Sequence, residues 1–204
     1  MALMLVTLGV LVFLLIHLVP MTPDWRSALV ARLGEGPYKG IFTLLALTGF
    51  VGALWAYRYT PHVPLWDGPP ALRALTSLLM LAAVLCFALA KAPWGKRIVR
   101  HPMLWGIGIW GIAHLLSNGD LAGMVLFGGM AVFGFLWQFL TDRRDAEVDP
   151  EGFEEIRRST SLVPFLRWNV RSDPITMGPL AIGAVVYLAL ILAHPWLFGA
   201  PVMV

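Results

Sequence analysis

Three histidines lie inside or beside strongly apolar stretches of this 204-residue chain, where polar side chains are costly if the stretches lie in lipid. His17 stands in Leu-Ile-His-Leu, His101 opens His-Pro-Met-Leu, and His114 stands in Ala-His-Leu-Leu. A neutral imidazole can ligate iron or copper, or shuttle a proton. Two such histidines on different membrane helices are what a membrane haem b site requires. The alternative is that each histidine lies at the membrane interface or makes an ordinary hydrogen bond and does not bind a metal. His62 and His194, in or near loops, carry no comparable signal.

The composition excludes several classes of protein. Hydrophobic residues make up 58% of the chain and charged residues 13%, against roughly 25% charged in an ordinary soluble domain. Mean hydropathy is +0.75. This composition excludes a soluble enzyme, a disulfide-rich secreted scaffold and a disordered chain. The single cysteine is a second argument against the disulfide-rich scaffold. The net charge of +3 does not indicate a nucleic-acid partner, because the basic residues sit in short loops between apolar runs.

Six apolar stretches predict an all-α, polytopic membrane helical bundle of about six transmembrane helices. We expect a single transmembrane domain over residues 1–204, in which residues 141–178 form a cytoplasmic or interfacial connector with a short surface helix. The first stretch has no basic segment and no small-residue cleavage site, and is expected to be an uncleaved span. The six stretches are Leu3–Val19, Ile41–Tyr57, Ala74–Ala90, Met103–Leu116, Leu121–Leu140 and Pro179–Phe198.

Basic residues predict the topology. Thirteen of the fifteen Lys and Arg residues fall in the loops after the first, third and fifth spans. By the positive-inside rule these loops are cytoplasmic and both termini are periplasmic. The outer surface of the helical bundle is then expected to contact the lipid bilayer. The fourth span is short and is expected to begin earlier, with Arg100 snorkelling to the interface. Residues 117–120 (Ser-Asn-Gly-Asp) predict a tight hairpin between the fourth and fifth spans.

Depth along the predicted spans limits how the histidines can pair. At ~1.5 Å per residue, His17 lies ~21 Å and His114 ~6 Å below the outer ends of their spans, a difference of ~15 Å. Two axial histidines place their Cα atoms ~13 Å apart, with ~2 Å for each metal–nitrogen bond. On depth alone His17 and His101 are the easier pair, and both pairings stay open.

Two glycine-rich segments have different interpretations. Residues 106–111 match G-x-G-x-x-G, but no strand precedes them, so they predict close helix packing rather than a dinucleotide site. Residues 32–40 combine three glycines and a proline with Arg32, Tyr38 and Lys39. This pattern indicates either a bend with cytoplasmic anchors before the second span or a contact to substrate or to haem propionates, since Arg and Lys pair with carboxylates.

Together these motifs resemble the NnrU family of bacterial proteins. The resemblance is carried by Arg-Leu-Gly-Glu-Gly-Pro-Tyr-Lys-Gly at 32–40, His-Pro-Met-Leu at 101–104 and Ala-His-Leu-Leu-Ser-Asn-Gly-Asp at 113–120. His17 and Leu-Phe-Gly at 126–128 also fit the pattern. Several motifs occur in the same order, and the resemblance extends over about residues 2–140.

The resemblance implies a multi-pass protein of the bacterial inner membrane, linked to denitrification and nitric-oxide metabolism. The family also contains zeta-carotene isomerase, a haem b enzyme, which implies a haem-dependent cis–trans isomerase of a lipid-soluble polyene. By motif position the haem ligands are His17 and His114, and His101 belongs to the same pattern. The isomerase has a cysteine three residues before the second ligand, where this chain has Gly111. Nitric oxide is a second candidate ligand, and the glycine-rich faces permit a homodimer.

Two alternatives remain. The run Arg100-His101-Pro102, with the acidic pair Glu154-Glu155 downstream, is similar to membrane methyltransferases that use S-adenosylmethionine. The other alternative is a non-enzymatic haem sensor, or an assembly factor for nitric-oxide or nitrite reductase, which would use the same histidines. A plain helical bundle without a cofactor is the remaining interpretation.

Overall fold

The computed structural model describes residues 1–66, 70–92, 94–167 and 174–199. Within these ranges the regular structure is helical, and strand pairing is limited to one isolated bridge between Pro64 and Asp120. A π-helical turn, Met124–Gly128, lies near the start of the helix Leu121–Val148. The helices are α1 Ala2–Leu18, α2 Pro23–Leu33, α3 Glu35–Tyr57, α4 Pro70–Leu89, α5 Pro102–Asn118, α6 Leu121–Val148, α7 Pro150–Ser159 and α8 Gly178–Phe198.

The helix ends follow local sequence signals. Pro102 occupies the first turn of α5, where its missing N–H costs nothing. Gly119 then ends α5 with a φ of 58°, a left-handed conformation that glycine adopts without strain. Asp120 caps α6 by accepting a 2.8 Å hydrogen bond from the Gly123 amide. The predicted hairpin between the fourth and fifth spans is therefore confirmed.

Successive long helices run in opposite directions. His17 near the end of α1 lies beside Phe42 near the start of α3, and Thr76 near the start of α4 bonds to Ser117 at the end of α5. Tyr187 of α8 donates to the Ser77 carbonyl of α4. These contacts define two ends of the bundle. We call the end that holds His17, residues 94–101 and α7 the basic end, and the opposite one the Asp120 end.

Within the described residues, five helices are long and apolar enough to cross a membrane: α1, α3, α4, α6 and α8. Helix α5 has 17 residues and packs between α4 and α6. The structure thus confirms an all-helical bundle with several membrane-spanning helices, while a count of six and periplasmic termini stay predictions. The alternating directions put both the first residues of α1 and the last of α8 at the Asp120 end, where Arg58 bonds the Leu197 carbonyl at 3.5 Å.

Glycines let neighbouring helices touch through their backbones, as the 106–111 segment predicts. A Cβ on Gly111 would lie 2.6 Å from both the Phe127 carbonyl oxygen and the Ala131 amide nitrogen of α6. Gly9 and Gly49 make an equivalent contact between α1 and α3, where a Cβ on Gly9 would lie 2.6 Å from the Gly49 oxygen. Such short separations exclude any side chain and explain the spacing of small residues.

The structure corrects two expectations about the basic end. The fourth span does not start early, because a 3-10 turn, Gly95–Arg97, is followed by a break before α5 begins at Pro102. Arg100 does not snorkel outward, since it is buried and ion-paired with Asp142. The bend predicted within residues 32–40 is confined to Gly34, whose φ is 83°, and α3 already begins at Glu35.

The predicted connector is partly helical. Its first residues belong to α6, which continues to Val148. The predicted surface helix is α7, capped by Asp149 through a 3.0 Å hydrogen bond from the Gly152 amide. Residues 168–173 of the connector lie outside the described residues.

Candidate functional site

His114 lies one turn before the end of α5, at the Asp120 end of the bundle. Its Nδ1 is 3.0 Å from the Trp110 carbonyl oxygen. Because a carbonyl only accepts, Nδ1 carries the proton and Nε2 keeps its lone pair. Metal-ligating histidines commonly use one ring nitrogen in this way to hold the ring and leave the other for the metal. His114 is therefore oriented as a ligand would be.

Two aromatic side chains contact the His114 ring. Phe127 stacks on it at 4.8 Å between ring centroids with 24° between the planes, and Trp110 lies 4.9 Å away. Phe127 belongs to the π-helical turn of α6, and the Leu-Phe-Gly motif at 126–128 forms part of this turn. A π turn inserts one extra residue and is common at functional sites. Here it accompanies the contact of Phe127 with His114.

A buried carboxylate lies next to this site. Asp120 is 5% exposed, and its Oδ2 accepts a 2.8 Å hydrogen bond from the Tyr57 hydroxyl. The Nδ1 of His62 is 3.8 Å from the same oxygen. Asn118 donates to the His114 carbonyl at 2.6 Å, so the hairpin residues are tied to the histidine. The arrangement fixes the end of α5 and leaves His62 as the solvent-exposed contact of Asp120.

His194 of α8 also lies at this end. Its ring centroid is 6.4 Å from that of His114, with 29° between the planes. The His194 ring also contacts Phe198, with ring centroids 4.9 Å apart. Sequence reasoning did not single out His62 or His194, because both proximities arise between distant segments. The position of His194 in an apolar run, before Pro195 of the same helix, is the signal that could have found it.

His17 lies at the basic end, away from His114. Its Nδ1 is 2.7 Å from the Phe13 carbonyl oxygen, so its Nε2 likewise keeps a lone pair. The ring contacts Phe13 at 4.2 Å, Phe133 at 5.0 Å and Phe42 at 5.1 Å. The Trp137 indole N–H donates to the His17 carbonyl at 3.1 Å. This second histidine has the same tautomer in an equally aromatic setting.

The two predicted haem ligands do not touch each other. Rings of Phe13, Phe50 and Trp110 form a continuous series between them, with successive centroids 5.8 and 6.0 Å apart. On α6, His114 lies beside Phe127 and His17 beside Phe133 and Trp137. Six to ten residues correspond to about 9–15 Å along the helix. This agrees with the depth difference expected from the sequence.

His101 is engaged elsewhere. It lies just before α5, and its Nε2 is 2.7 Å from Oδ1 of Asp142. Arg100 bonds the other oxygen of the same carboxylate and also donates to Thr160 Oγ1 at 3.0 Å. Burial lowers the pKa of His101, while the hydrogen bond and charge of Asp142 oppose that shift. The structure therefore puts His101 into a buried ionic cluster with Arg100, and it does not bring His101 to His17.

The three candidate cofactor contacts in the 32–40 segment lie in different surroundings. Tyr38 is buried, and its ring lies 6.4 Å from Phe42, which in turn contacts His17. Lys39 is exposed and pairs with Glu35 at 2.8 Å. Arg32 is exposed in the last turn of α2. Of the three, Tyr38 alone approaches the surroundings of His17.

The donor set fits haem iron. Two neutral imidazoles with available Nε2 atoms are suitable axial ligands, and no cluster of three or more His, Cys, Asp or Glu residues able to hold a metal ion occurs within the described ranges. A macrocycle shared by His17 and His114 would take the space now occupied by the rings between them.

A family model described as NnrU protein matches residues 5–202. The chain belongs to the NnrU family. A further similarity is to the protein named 15-cis-zeta-carotene isomerase, chloroplastic, of Arabidopsis thaliana, at 35% identity over 69 residues. The match covers 34% of the NnrU chain described here and spans about a fifth, 19%, of that relative. No solved structure matches the chain.

Proposed function

We propose that this NnrU protein is a membrane isomerase that changes the geometry of a double bond in a lipid-soluble polyene, with haem b as its cofactor. The observation that carries the proposal is the orientation of His114, whose Nδ1 faces the Trp110 carbonyl and leaves Nε2 available. His17, the other ligand that the family resemblance implies, has the same orientation towards Phe13. The similarity of 69 residues to a protein named as a carotene isomerase supports the reaction class.

The residues around His114 suit a long conjugated substrate. Phe127 and Trp110 pack edge to face beside His114, with ring centroids 5.2 Å apart, and give the histidine aromatic surroundings of the kind against which a polyene packs. Met124, at the start of the π turn, is 41% exposed, so the site lies near the lipid-facing surface. An apolar substrate would reach this surface from the bilayer. Haem would supply an iron centre able to accept a ligand and to exchange one electron.

The cellular setting belongs to the same proposal. We assign the basic end to the cytoplasmic side of a bacterial inner membrane, because most Lys and Arg residues lie there. Nitric oxide is an alternative small ligand for the haem, which would make the protein a sensor or an assembly factor in denitrification. Both versions use the same histidines, so turnover of a polyene separates them.

The experiment follows a cis-polyene in liposomes that contain the purified, reduced protein, with the isomers separated by chromatography. We expect conversion to the trans isomer, at least tenfold slower with His114→Ala. His62→Ala, which changes an exposed histidine of the same end, is the matched control. Equal conversion by liposomes with and without protein, for a series of polyenes, would contradict the enzyme assignment.

A membrane methyltransferase is the second candidate, favoured by an open pocket of about 460 Å³ beside Arg100 and His101. The pocket lies at the basic end, where S-adenosylmethionine would arrive. The Glu154 carboxylate, however, is paired with Arg157 and Arg158 at 2.8 and 3.1 Å. Calorimetric titration with S-adenosylmethionine tests this candidate, and we expect no binding.

A further inference from the structure

The open pocket of about 460 Å³ at the basic end lies where α4 ends and α5 begins. Leu89, the last residue of α4, lines it together with Met103 and Leu104 from the first turn of α5. Helix α4 is long and apolar enough to cross a membrane, and Lys91 and Lys96 follow it in the chain. The pocket therefore lies where an apolar span gives way to a charged segment, which is the level of the lipid headgroups.

Two lysines give this pocket a positive charge. Lys91 and Lys96 both line it and are exposed. Elsewhere at the basic end, Arg143 and Arg157 each pair with a glutamate of their own helix, whereas neither lysine has a carboxylate partner among the described residues. No Asp or Glu occurs among the described residues that line the pocket. The two ammonium groups thus leave a positive charge that a ligand can neutralise.

Arg100 and His101 also line the pocket, but both are already engaged within the protein. Each bonds one oxygen of the Asp142 carboxylate. Arg100 also donates to Thr160 Oγ1 at 3.0 Å. Because Asp142 balances the charge of this buried cluster, recognition of a ligand falls to Lys91 and Lys96.

Tertiary contacts fix the turn that carries Lys96. Trp94, which is 2% exposed, belongs to the same buried cluster as Leu89. The Trp94 indole N–H donates to Thr176 Oγ1 at 3.3 Å. A Cβ on Gly95 would overlap the Leu89 carbonyl oxygen, so the 3-10 turn packs directly on the end of α4. The lysine therefore extends from a backbone that is held in place beside the pocket.

The ligand that matches both the charge and the position is the phosphate of a lipid headgroup. Lysine binds phosphate as a point charge, and basic pockets between membrane helices on the cytoplasmic side bind anionic headgroups. Met103 is 48% exposed, so an apolar surface suited to an acyl chain adjoins the lysines. S-adenosylmethionine fits this charge less well, because its sulfonium and ammonium groups outweigh its one carboxylate.

We infer that this pocket binds the headgroup of an anionic phospholipid from the bilayer. Lys91 and Lys96 contact the phosphate, and the apolar residues of α4 and α5 contact an acyl chain. The inference goes beyond the proposed function, since it requires a protein embedded in a membrane and does not involve haem or a polyene. A lipid bound there joins the ends of α4 and α5 beside the cluster of Arg100 and Asp142.

Native mass spectrometry of the full chain tests the site. The protein is released from detergent micelles that contain phosphatidylglycerol and phosphatidylcholine with the same acyl chains, and bound lipids are counted over a titration. We expect one phosphatidylglycerol to be retained in preference to phosphatidylcholine. Lys91→Gln/Lys96→Gln should bind phosphatidylglycerol at least tenfold more weakly, while Lys91→Arg/Lys96→Arg should keep most of the affinity.

The matched control is Arg143→Gln/Arg157→Gln, which removes the same charge from exposed positions at the same end. It should bind phosphatidylglycerol as the wild type does. Equal losses of affinity in the two glutamine double variants would overturn the site, because binding would then follow the overall charge. Equal retention of the two lipids by the wild type would also overturn it.

Soluble anions distinguish a lipid from free phosphate as the occupant. Inorganic phosphate and glycerol 3-phosphate are added at millimolar concentration and constant ionic strength to the wild-type protein with bound phosphatidylglycerol. We expect neither to displace the lipid, because neither fills the apolar part of the pocket. Displacement by either anion would overturn the assignment to a phospholipid. Since this comparison uses only the wild type, it does not depend on the folding of any variant.

Discussion

The Tyr57 hydroxyl donates a 2.8 Å hydrogen bond to the buried Asp120 carboxylate and joins the end of α3 to the hairpin between α5 and α6. The same hydroxyl is 3.2 Å from Oδ1 of Asn118, whose amide donates to the His114 carbonyl. One phenol thus holds the segment that carries the candidate ligand. The candidate site is built on a rigid hairpin rather than on a loose loop.

Replacing Tyr57 with Phe should destabilise the bundle. The Asp120 carboxylate keeps the Gly123 amide as a donor but loses the hydroxyl, which costs about 1–3 kcal/mol for a hydrogen bond to a charged group. Thermal unfolding in detergent measures the change. Tyr59→Phe is the control, because Tyr59 is 63% exposed. Equal melting temperatures for the two variants would show that the hydrogen bond contributes nothing.

Asp142→Asn should be more damaging than Tyr57→Phe. The substitution leaves Arg100, which is 6% exposed, without its charged partner. Breaking a buried pair by removing one partner costs about 3–5 kcal/mol. Denaturant unfolding followed by tryptophan fluorescence gives the free energy of unfolding. Asp145→Asn, which removes a more exposed partner of Arg144, should cost less than about 1 kcal/mol. Similar losses for the two variants would refute the structural role of the cluster.

Acidification should weaken the fold through His101. Its pKa is lowered by burial, so below its ordinary value the unfolded chain binds a proton that the folded chain excludes. Stability then falls as the pH drops below about 6.5 and levels off below the folded-state pKa. Melting temperatures at several pH values, compared with those of His101→Gln, isolate this contribution. The variant should show a smaller loss between pH 7 and 5, and identical slopes would count against the assignment.

Gly111→Ala should separate α5 from α6. The new Cβ would meet the Phe127 oxygen and the Ala131 nitrogen at 2.6 Å, and overpacking of this kind costs about 1–3 kcal/mol. Since Phe127 would move, the surroundings of His114 would change as well. Gly52→Ala, at a position with no atom within 4 Å of the new Cβ, is the matched control. A melting temperature for Gly111→Ala as high as that of Gly52→Ala would mean that the backbones are not in contact.

Much of the architecture could be predicted from sequence because it follows local rules. Apolar runs predict the long helices, and Gly119 and Asp120 predict the hairpin. The spacing of glycines at 106–111 predicts the close packing of helices. The predicted start of the fourth span was wrong because Arg100 has a tertiary partner, Asp142, which is 42 residues away in the sequence. Apolar periodicity contains no information about such a partner.

The candidate site was predicted less completely than the fold. His114 and its tautomer follow from an intrahelical contact with Trp110, four residues away. The proximity of His194, in contrast, depends on how α8 packs on α4 and brings its end towards α5. The π turn that carries Phe127 also has no clear signal in a helical apolar run. These features are tertiary, which is why the pairing of histidines stayed open at the level of sequence.

We propose that this NnrU protein holds haem through His114. The most direct measurement is the absorption spectrum of the detergent-purified protein, oxidised and then reduced with dithionite. We predict a sharp Soret band and, on reduction, split α and β bands of low-spin haem b, all lost in His114→Ala. A folded protein from haem-replete cells without a Soret band, or a spectrum unchanged by His114→Ala, would contradict the claim.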